Sequence, residues 1–429
     1  MTRKSIHAIV TVLCLFAAEY ALAQNADEET LVGPDSHERS RIKQGHLIGD
    51  WGGMRSRLEE KGVTFDLQYI SDSLWNLKSE QNERLANWSR VRGTVDIDFG
   101  RLAQQNHLYL HVTGLWQGGG KLNQYLGTLA SPSGMSSGNT FRLDSWWLEK
   151  RWRNENIALR LGQFAGQDFY GAQHFAASFI LEPMGYALGN LETTFETFDP
   201  PSTPALELRV MPREHFYVKS MVFAADRFQY DHNPTGFVPQ FRGAVMNVSE
   251  IGFTPGKKAN TVRAFDNVSS RKGYSGLYQF GAAYNPGKFV DPASSTPRSG
   301  NYLLYWMASQ ALWRVDRQAS KGLDGTLSYD WSPADVNRQN TQLTAGLRYN
   351  EPLPLPFHNT MSLGYVRSTQ SSRLVSGSQK WQPEHAIEFN ALFDVLPMML
   401  IQPVVQYYDH VGGGTHRAIV FGFRTKVDF

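Results

Sequence analysis

Across 429 residues, 42 basic and 40 acidic side chains leave a net charge of +2. That balance gives no general attraction to nucleic acid and argues against a strongly ion-selective surface. A single cysteine, Cys14, rules out an internal disulfide framework, and beyond the N-terminus no run approaches the ~18 apolar residues of a membrane helix.

The chain opens with Arg3 and Lys4, a mostly apolar stretch from Ile6 to Ala18, and Ala21-Leu22-Ala23 in the A-x-A pattern. This predicts a cleaved secretory signal peptide over 1–23. Lipoprotein processing at Cys14 is disfavoured because Leu13 is too large. Cleavage would remove the cysteine and leave charges near balance, so the exported chain must be held together without disulfides. Residues 24–45 are polar, contain Gly33-Pro34 and read as a flexible leader.

A short helix is predicted over 46–62, in "HLIGDWGGMRSRLEEKG". Asp50 is placed to cap it, Trp51, Met54 and Leu58 share one face, and Gly62 stops it. A helix this short is marginal alone in water, so its apolar face needs a surface to pack on.

From residue 63 onward the dominant signal is period-two alternation. In "RVRGTVDIDFG", Val91, Val95, Ile97 and Phe99 share one face, and Arg90, Arg92, Thr94, Asp96 and Asp98 the other. Leu108, Leu110 and Val112 alternate with Tyr109, His111 and Thr113; Ile157, Leu159 and Leu161 with Arg160; Leu206, Leu208 and Val210 with Glu207 and Arg209. Near the end, Ile419, Phe421, Phe423, Val427 and Phe429 oppose Arg424, Lys426 and Asp428. Sixteen strands are predicted, starting near 63, 88, 107, 141, 156, 204, 215, 243, 274, 301, 322, 340, 359, 384, 398 and 415.

A soluble secreted β-sandwich would also alternate. Three features favour an all-β transmembrane antiparallel barrel over 63–429. Aromatics (Trp116, Trp152, Trp313, Tyr349, Tyr408) sit at strand ends, as interfacial girdles require. Short connections at 101–106, 153–155 and 212–214 alternate with long ones at 117–140, 165–203 and 369–383. The last alternating strand ends on Phe429, the kind of terminus bacterial barrels present to their assembly machinery. Sixteen strands are wide enough to enclose water, and the charged inner faces need it. An even number puts both termini, and with them the 46–62 helix, at the periplasmic mouth, which it is expected to brace or partly cover.

The segment 165–203 is long for a connection without strands, and too aromatic (Phe169, Tyr170, Phe175, Phe179, Tyr186) to float in solvent. It is expected to fold inward and narrow the lumen, the alternative being an external loop over a subunit contact. Gly134-Met135-Ser136-Ser137-Gly138 fits the string G-x-S-x-G, but it lies in a Ser/Gly/Pro loop rather than in the strand–turn–helix that a nucleophile elbow needs. No H-E-x-x-H or phosphate-loop pattern occurs. No catalysis, metal or cofactor is expected.

"GDWGGMRSRLEEKGVTFDLQY", "RLDSWWLEKRW" followed by "IALRLGQF", "GNYLLYWMASQALWR" and the closing "GFRTKVDF" resemble the OprB-type carbohydrate-selective porins of Gram-negative outer membranes. The resemblance spans most of 46–429 and implies a sixteen-stranded barrel passing glucose and other neutral sugars by facilitated diffusion. Loop 165–203 matches only in outline. The chemistry of the alternating faces is compatible: charged groups bond sugar hydroxyls strongly and aromatic rings offer a surface for C–H faces.

Parity supplies the candidate pore lining: Arg90, Arg92, Asp96 and Asp98, then Arg160, with Asp168 and Phe169 opening the inward loop. In the fourth strand two registers compete. Trp147, Glu149 and Arg151 face the pore in one, Arg142 and Asp144 in the other, unless a bulge switches parity between them. Expected partners are neutral sugars as transported solutes, outer-membrane lipid and lipopolysaccharide, and the barrel-assembly machinery; a homotrimer is also an expectation. The rival functions are a general diffusion porin, a secreted β-sandwich lectin and a barrel lipase.

Overall fold

The computed structural model describes residues 46–429 apart from 79–83, 121, 136–138, 167–168, 172–177, 186–201, 227, 256–273, 317–319 and 375–380. The predicted signal peptide, the leader, Ser136 and Asp168 therefore lie outside the described residues. Sixteen strands form one closed antiparallel barrel in chain order, with the last paired to the first. They are β1 (Val63–Lys78), β2 (Arg84–Asp98), β3 (Leu108–Gly119), β4 (Thr140–Trp152), β5 (Ile157–Phe164), β6 (Thr203–Arg213), β7 (Phe216–Ala225) and β8 (Ala244–Phe253). The second half comprises β9 (Gly276–Val290), β10 (Pro297–Arg314), β11 (Gly322–Trp331), β12 (Gln339–Asn350), β13 (Asn359–Gln370), β14 (Glu384–Leu396), β15 (Met399–Asp409) and β16 (Arg417–Asp428). Closure leaves no unpaired sheet edge toward lipid, the condition for spanning a bilayer with strands.

The alternation read from the sequence becomes the two faces of the wall. Leu85, Phe141, Leu161, Phe389 and Phe421 point outward and are exposed, whereas Asp72, Gln163, Glu250, Glu388 and Gln406 point inward and are buried by what fills the lumen. Trp116, Trp152 and Trp313 lie outside as girdle residues. Tyr408 does not. Its ring is 0% exposed, and its hydroxyl donates to Gln406 Oε1 at 3.2 Å inside the barrel, while Tyr407 faces out. Two adjacent tyrosines at a strand end read alike in sequence, and register decides between them. Phe99 also departs from expectation: β2 stops at Asp98, and Phe99 starts a short helix, Phe99–Ala103, capped by Asp98.

The two registers considered for β4 are both present. A bulge falls between the pairs Thr113↔Ser145 and Gly114↔Leu143. Arg142 and Asp144 point inward above it, and Trp147, Glu149 and Arg151 below it. An extra residue in one strand shifts the side-chain period by one. Pairing with β5 begins only at Trp146↔Gln163, and above that point the β7–β8 loop covers the free edge, with Leu143 N–H donating to Thr235 O at 2.9 Å.

Helix α1 (Met54–Glu60), entered through a 3-10 turn at Trp51–Gly53, precedes β1. Gly62, at φ +88°, ends it and donates to Glu59 O at 2.9 Å. Asp50 contributes as expected, though deeper than a cap: its Oδ1 accepts from Ser56 N at 2.8 Å and Ser56 Oγ at 2.9 Å. The buried face is not the expected one. Met54 is 49% exposed, and Arg55, 3% exposed, reaches Phe429 O at 2.9 Å. Trp51 packs on Phe65 of β1 at 5.5 Å between ring centroids, and Leu47 N–H donates to Asp428 O at 3.1 Å. The segment is thus fastened across the β1–β16 seam.

Candidate lumen site

Two loops fill part of the barrel. The described parts of the β5–β6 loop are held by stretches of wall on opposite sides of the lumen. On one side Gly171 N–H donates to Glu250 Oε2 on β8 at 2.9 Å, and Lys219 Nζ donates to Phe169 O. On the other, Ile180 and Leu181 N–H donate to the two oxygens of Glu388 on β14 at 2.9 and 2.6 Å. Asn390 and Gln402 hold Ser178 O at 2.9 and 3.0 Å. The β3–β4 loop joins it there: Leu129 and Ala130 N–H donate to Glu384 at 2.9 and 2.7 Å, and Glu182 N–H to Ser131 O at 3.1 Å.

Two glycines make room for this packing. A Cβ on Gly346 would come within 2.8 Å of Met184 Cε and 3.0 Å of Phe179 Cζ, and one on Gly364 within 2.9 Å of Phe179 Cε1. The inner wall is smooth where the loop lies against it.

The wall from β2 to β8 carries the charges. Register places Tyr109, Glu149, Arg160 and Glu207 in one cross-strand row. Arg151, Ala158, Arg209, Lys219 and Glu250 form the next. Arg160 donates to Glu149 Oε2 at 2.5 Å and to Glu207 Oε1 at 3.0 Å. Glu149 also accepts from Arg151, and Arg209 stands 3.9 Å from it. Glu250 accepts from Tyr217 and Tyr305 hydroxyls at 2.8 and 2.7 Å and pairs with Lys219 at 2.9 Å. Each removal of a charge from water is thus matched by partners, without which burial would cost several kcal/mol per ion.

An aromatic set lies over these pairs. The Arg160 guanidinium sits 4.5 Å from the Trp147 ring centroid and 3.9 Å from that of Phe169. Phe169 meets Trp147 and Phe164 edge-on at 6.4 and 5.3 Å. His111 stacks on Trp147 at 4.8 Å with 10° between planes, and its Nδ1 lies 2.7 Å from Asp96 Oδ1. Gly162 is the cross-strand partner of Trp147, and a Cβ there would come 2.6 Å from Trp147 Cα.

The residues expected from parity divide into three groups. Arg90, Arg92 and Asp96 are half-buried on the inward face of β2. Trp147, Arg151, Arg160, Glu149 and Phe169 come together in one cluster, but Glu149 and Arg160 lie beneath the aromatic rings and are buried. Asp98 is engaged at the strand end, accepting from Gly100 N–H at 2.9 Å. Glu207, Arg209, Lys219, Glu250 and His111 also belong to the cluster. Glu207, Arg209 and His111 stand on polar faces visible in the alternation, but only cross-strand register brings them to Arg160 and Trp147.

The arrangement is a strip of mixed charge, its paired carboxylates buried, with the rings of Trp147 and Phe169 set against it. It offers charge-assisted hydrogen bonds and aromatic faces side by side, with both signs of charge present.

The chain matches the family model described as "Carbohydrate-selective porin, OprB family" over residues 82–429. It is similar to Porin B of Pseudomonas aeruginosa, 23% identical with 100% of this chain and 99% of that protein covered. It is also similar to the putative porin QuiX of Acinetobacter baylyi, 21% identical over 86% of this chain and 89% of that one. Among solved structures, the high-pH structure of Pseudomonas putida OprB shares the fold, with a TM-score of 0.79 at 18% identity over 90% of this chain and 99% of that one.

Proposed function

The chain belongs to the carbohydrate-selective porin, OprB family, and from that premise we propose that its lumen strip is the path and the selectivity filter for neutral sugars. Its function is that of an outer-membrane porin through which sugars diffuse. Family and fold are those of a channel. The finer reading is that glucose and related sugars pass toward the periplasm between the β5–β6 loop and the β2–β7 wall.

The observation that carries it is the seating of Trp147 and Phe169 over the Glu149–Arg160–Glu207 ion pairs. In this reading Trp147 and Phe169 take the C–H face of a pyranose, and Arg90, Arg92, Asp96, Arg151, Arg209 and Lys219 bond its hydroxyls as it moves. Glu149 and Arg160 act as positioning residues, fixing the rings from below. Binding stays near the millimolar range, about −4 kcal/mol, so that the sugar leaves. Export by a cleaved signal peptide, contact with the assembly machinery and a homotrimeric state are part of the same proposal.

Liposome swelling tests it. Glucose should enter faster than gluconate, an anion of similar size. Rates that follow size alone would make the protein a general diffusion porin.

A further inference from the structure

The outer surface of β13–β16 carries three successive cross-strand rows whose chemistry changes toward the strand ends opposite the termini. The first is Leu363, Phe389, Val405 and Phe421, all exposed and apolar. The next is Tyr365, Ile387, Tyr407 and Ile419, an aromatic–aliphatic row of the kind found at the edge of the hydrocarbon. The last is Arg367, His385, Asp409 and Arg417. β1 begins and β16 ends at the other mouth, so this charged row faces the outer leaflet.

The row is a formed array. Tyr365 Oη lies 2.8 Å from His385 Nδ1, and the His410 ring meets that of His385 at 6.4 Å. Arg417 Nε donates to Asp409 Oδ1 at 2.9 Å with 70% of its side chain exposed. Asp409 thereby orients one guanidinium, and its charge also repels an anion, so binding falls to the outward nitrogens of Arg417 and to exposed Arg367.

We propose that Arg367 and Arg417, standing above the Tyr365–Tyr407 row, bind a phosphate on the headgroup of an outer-leaflet glycolipid. The acyl chains then lie along the Leu363–Phe389–Val405–Phe421 row. Guanidinium groups match phosphate geometry by paired, charge-assisted hydrogen bonds. A basic side chain at a lipid surface adds to binding, and the effect weakens as salt rises. Apolar contact below and cationic contact above select a phosphorylated lipid over a free anion.

The test uses the folded barrel in a neutral detergent, titrated with bisphosphorylated lipid A and with its dephosphorylated form, read as the temperature at which heat-modifiable gel migration changes. Bisphosphorylated lipid should raise that temperature, less so at high salt, and the dephosphorylated form should not. In the Arg367→Gln/Arg417→Gln double variant the apparent affinity should fall about tenfold or more, whereas Arg367→Lys/Arg417→Lys should retain part of it. Equal stabilisation by both lipids, or an unchanged response in the Gln variant, would overturn the proposal. Glucose entry into liposomes should be the same in both variants as in the parent, showing an intact barrel.

Discussion

Glu388 and Glu250 do similar work at opposite sides of the lumen: each carboxylate accepts backbone N–H groups of the β5–β6 loop and side-chain donors of the wall. In Glu388→Ala, the N–H groups of Ile180 and Leu181 lose their acceptor, and the amide of Gln406 keeps only Pro132 O. Each unsatisfied buried donor costs about 1–3 kcal/mol. The loop should therefore detach locally, and single-channel conductance should rise and become noisier while heat-modifiable migration shows a closed barrel. An unchanged conductance would mean that the loop's other contacts, with Glu250, Asn390, Gln402 and Ser131, hold it without Glu388. At this scale the sequence reveals which face a side chain takes. Arg160 and Glu207 stand on their polar faces in any reading of alternation. Their pairing does not appear there, since it depends on register between strands, and neither does the burial of Glu388, since the loop residues that cover it are distant in sequence.

Helix α1 shows the same division for an element. Asp50, Trp51 and Gly62 announce a short helix, and the structure has one. Which side it buries depends on Arg55 reaching Phe429 O, a contact 374 positions along the chain, and no local period records it. The bulge in β4 is similar: "RLDSWW" admits both registers, and only pairing with β3 puts the extra residue beside Ser145. We propose that α1 braces the periplasmic mouth by locking the β1–β16 seam. His46 lies buried beside Arg55, and burial first, then that cation, lowers its pKa below the usual 6.5. A depressed histidine prefers the neutral form when folded, so its contribution is complete above about pH 6.5 and fades as pH falls through the lowered value. Protection of residues 46–62 against hydrogen exchange, each rate taken relative to the intrinsic rate at the same pH, should fall as pH drops below about 6.5, and His46→Phe should flatten that dependence. Protection in the parent that does not change with pH would remove His46 from the account. Removal of Arg55 by Arg55→Ala should speed exchange at every pH.

For the whole molecule, strand number and order were legible because closure of a membrane barrel demands a repeated two-residue period, and every predicted strand start falls within four residues of the observed one. The lumen was less legible. Its shape depends on two loops docked by Glu250, Glu384 and Glu388, and on Gly346 and Gly364 leaving space for Phe179 and Met184. In the proposed reading, the sugar path is lined by Arg90, Arg92, Asp96, His111, Trp147 and Phe169. The most direct measurement is ion conductance of the protein in a planar bilayer during glucose titration, with the Trp147→Ala variant beside it. The account predicts a saturable fall in conductance with half-effect in the millimolar range, and about fivefold weaker block in Trp147→Ala, since an aromatic contact of this kind is worth about 1 kcal/mol. Normal ion conductance that glucose does not reduce, or equal block in the two proteins, would contradict it.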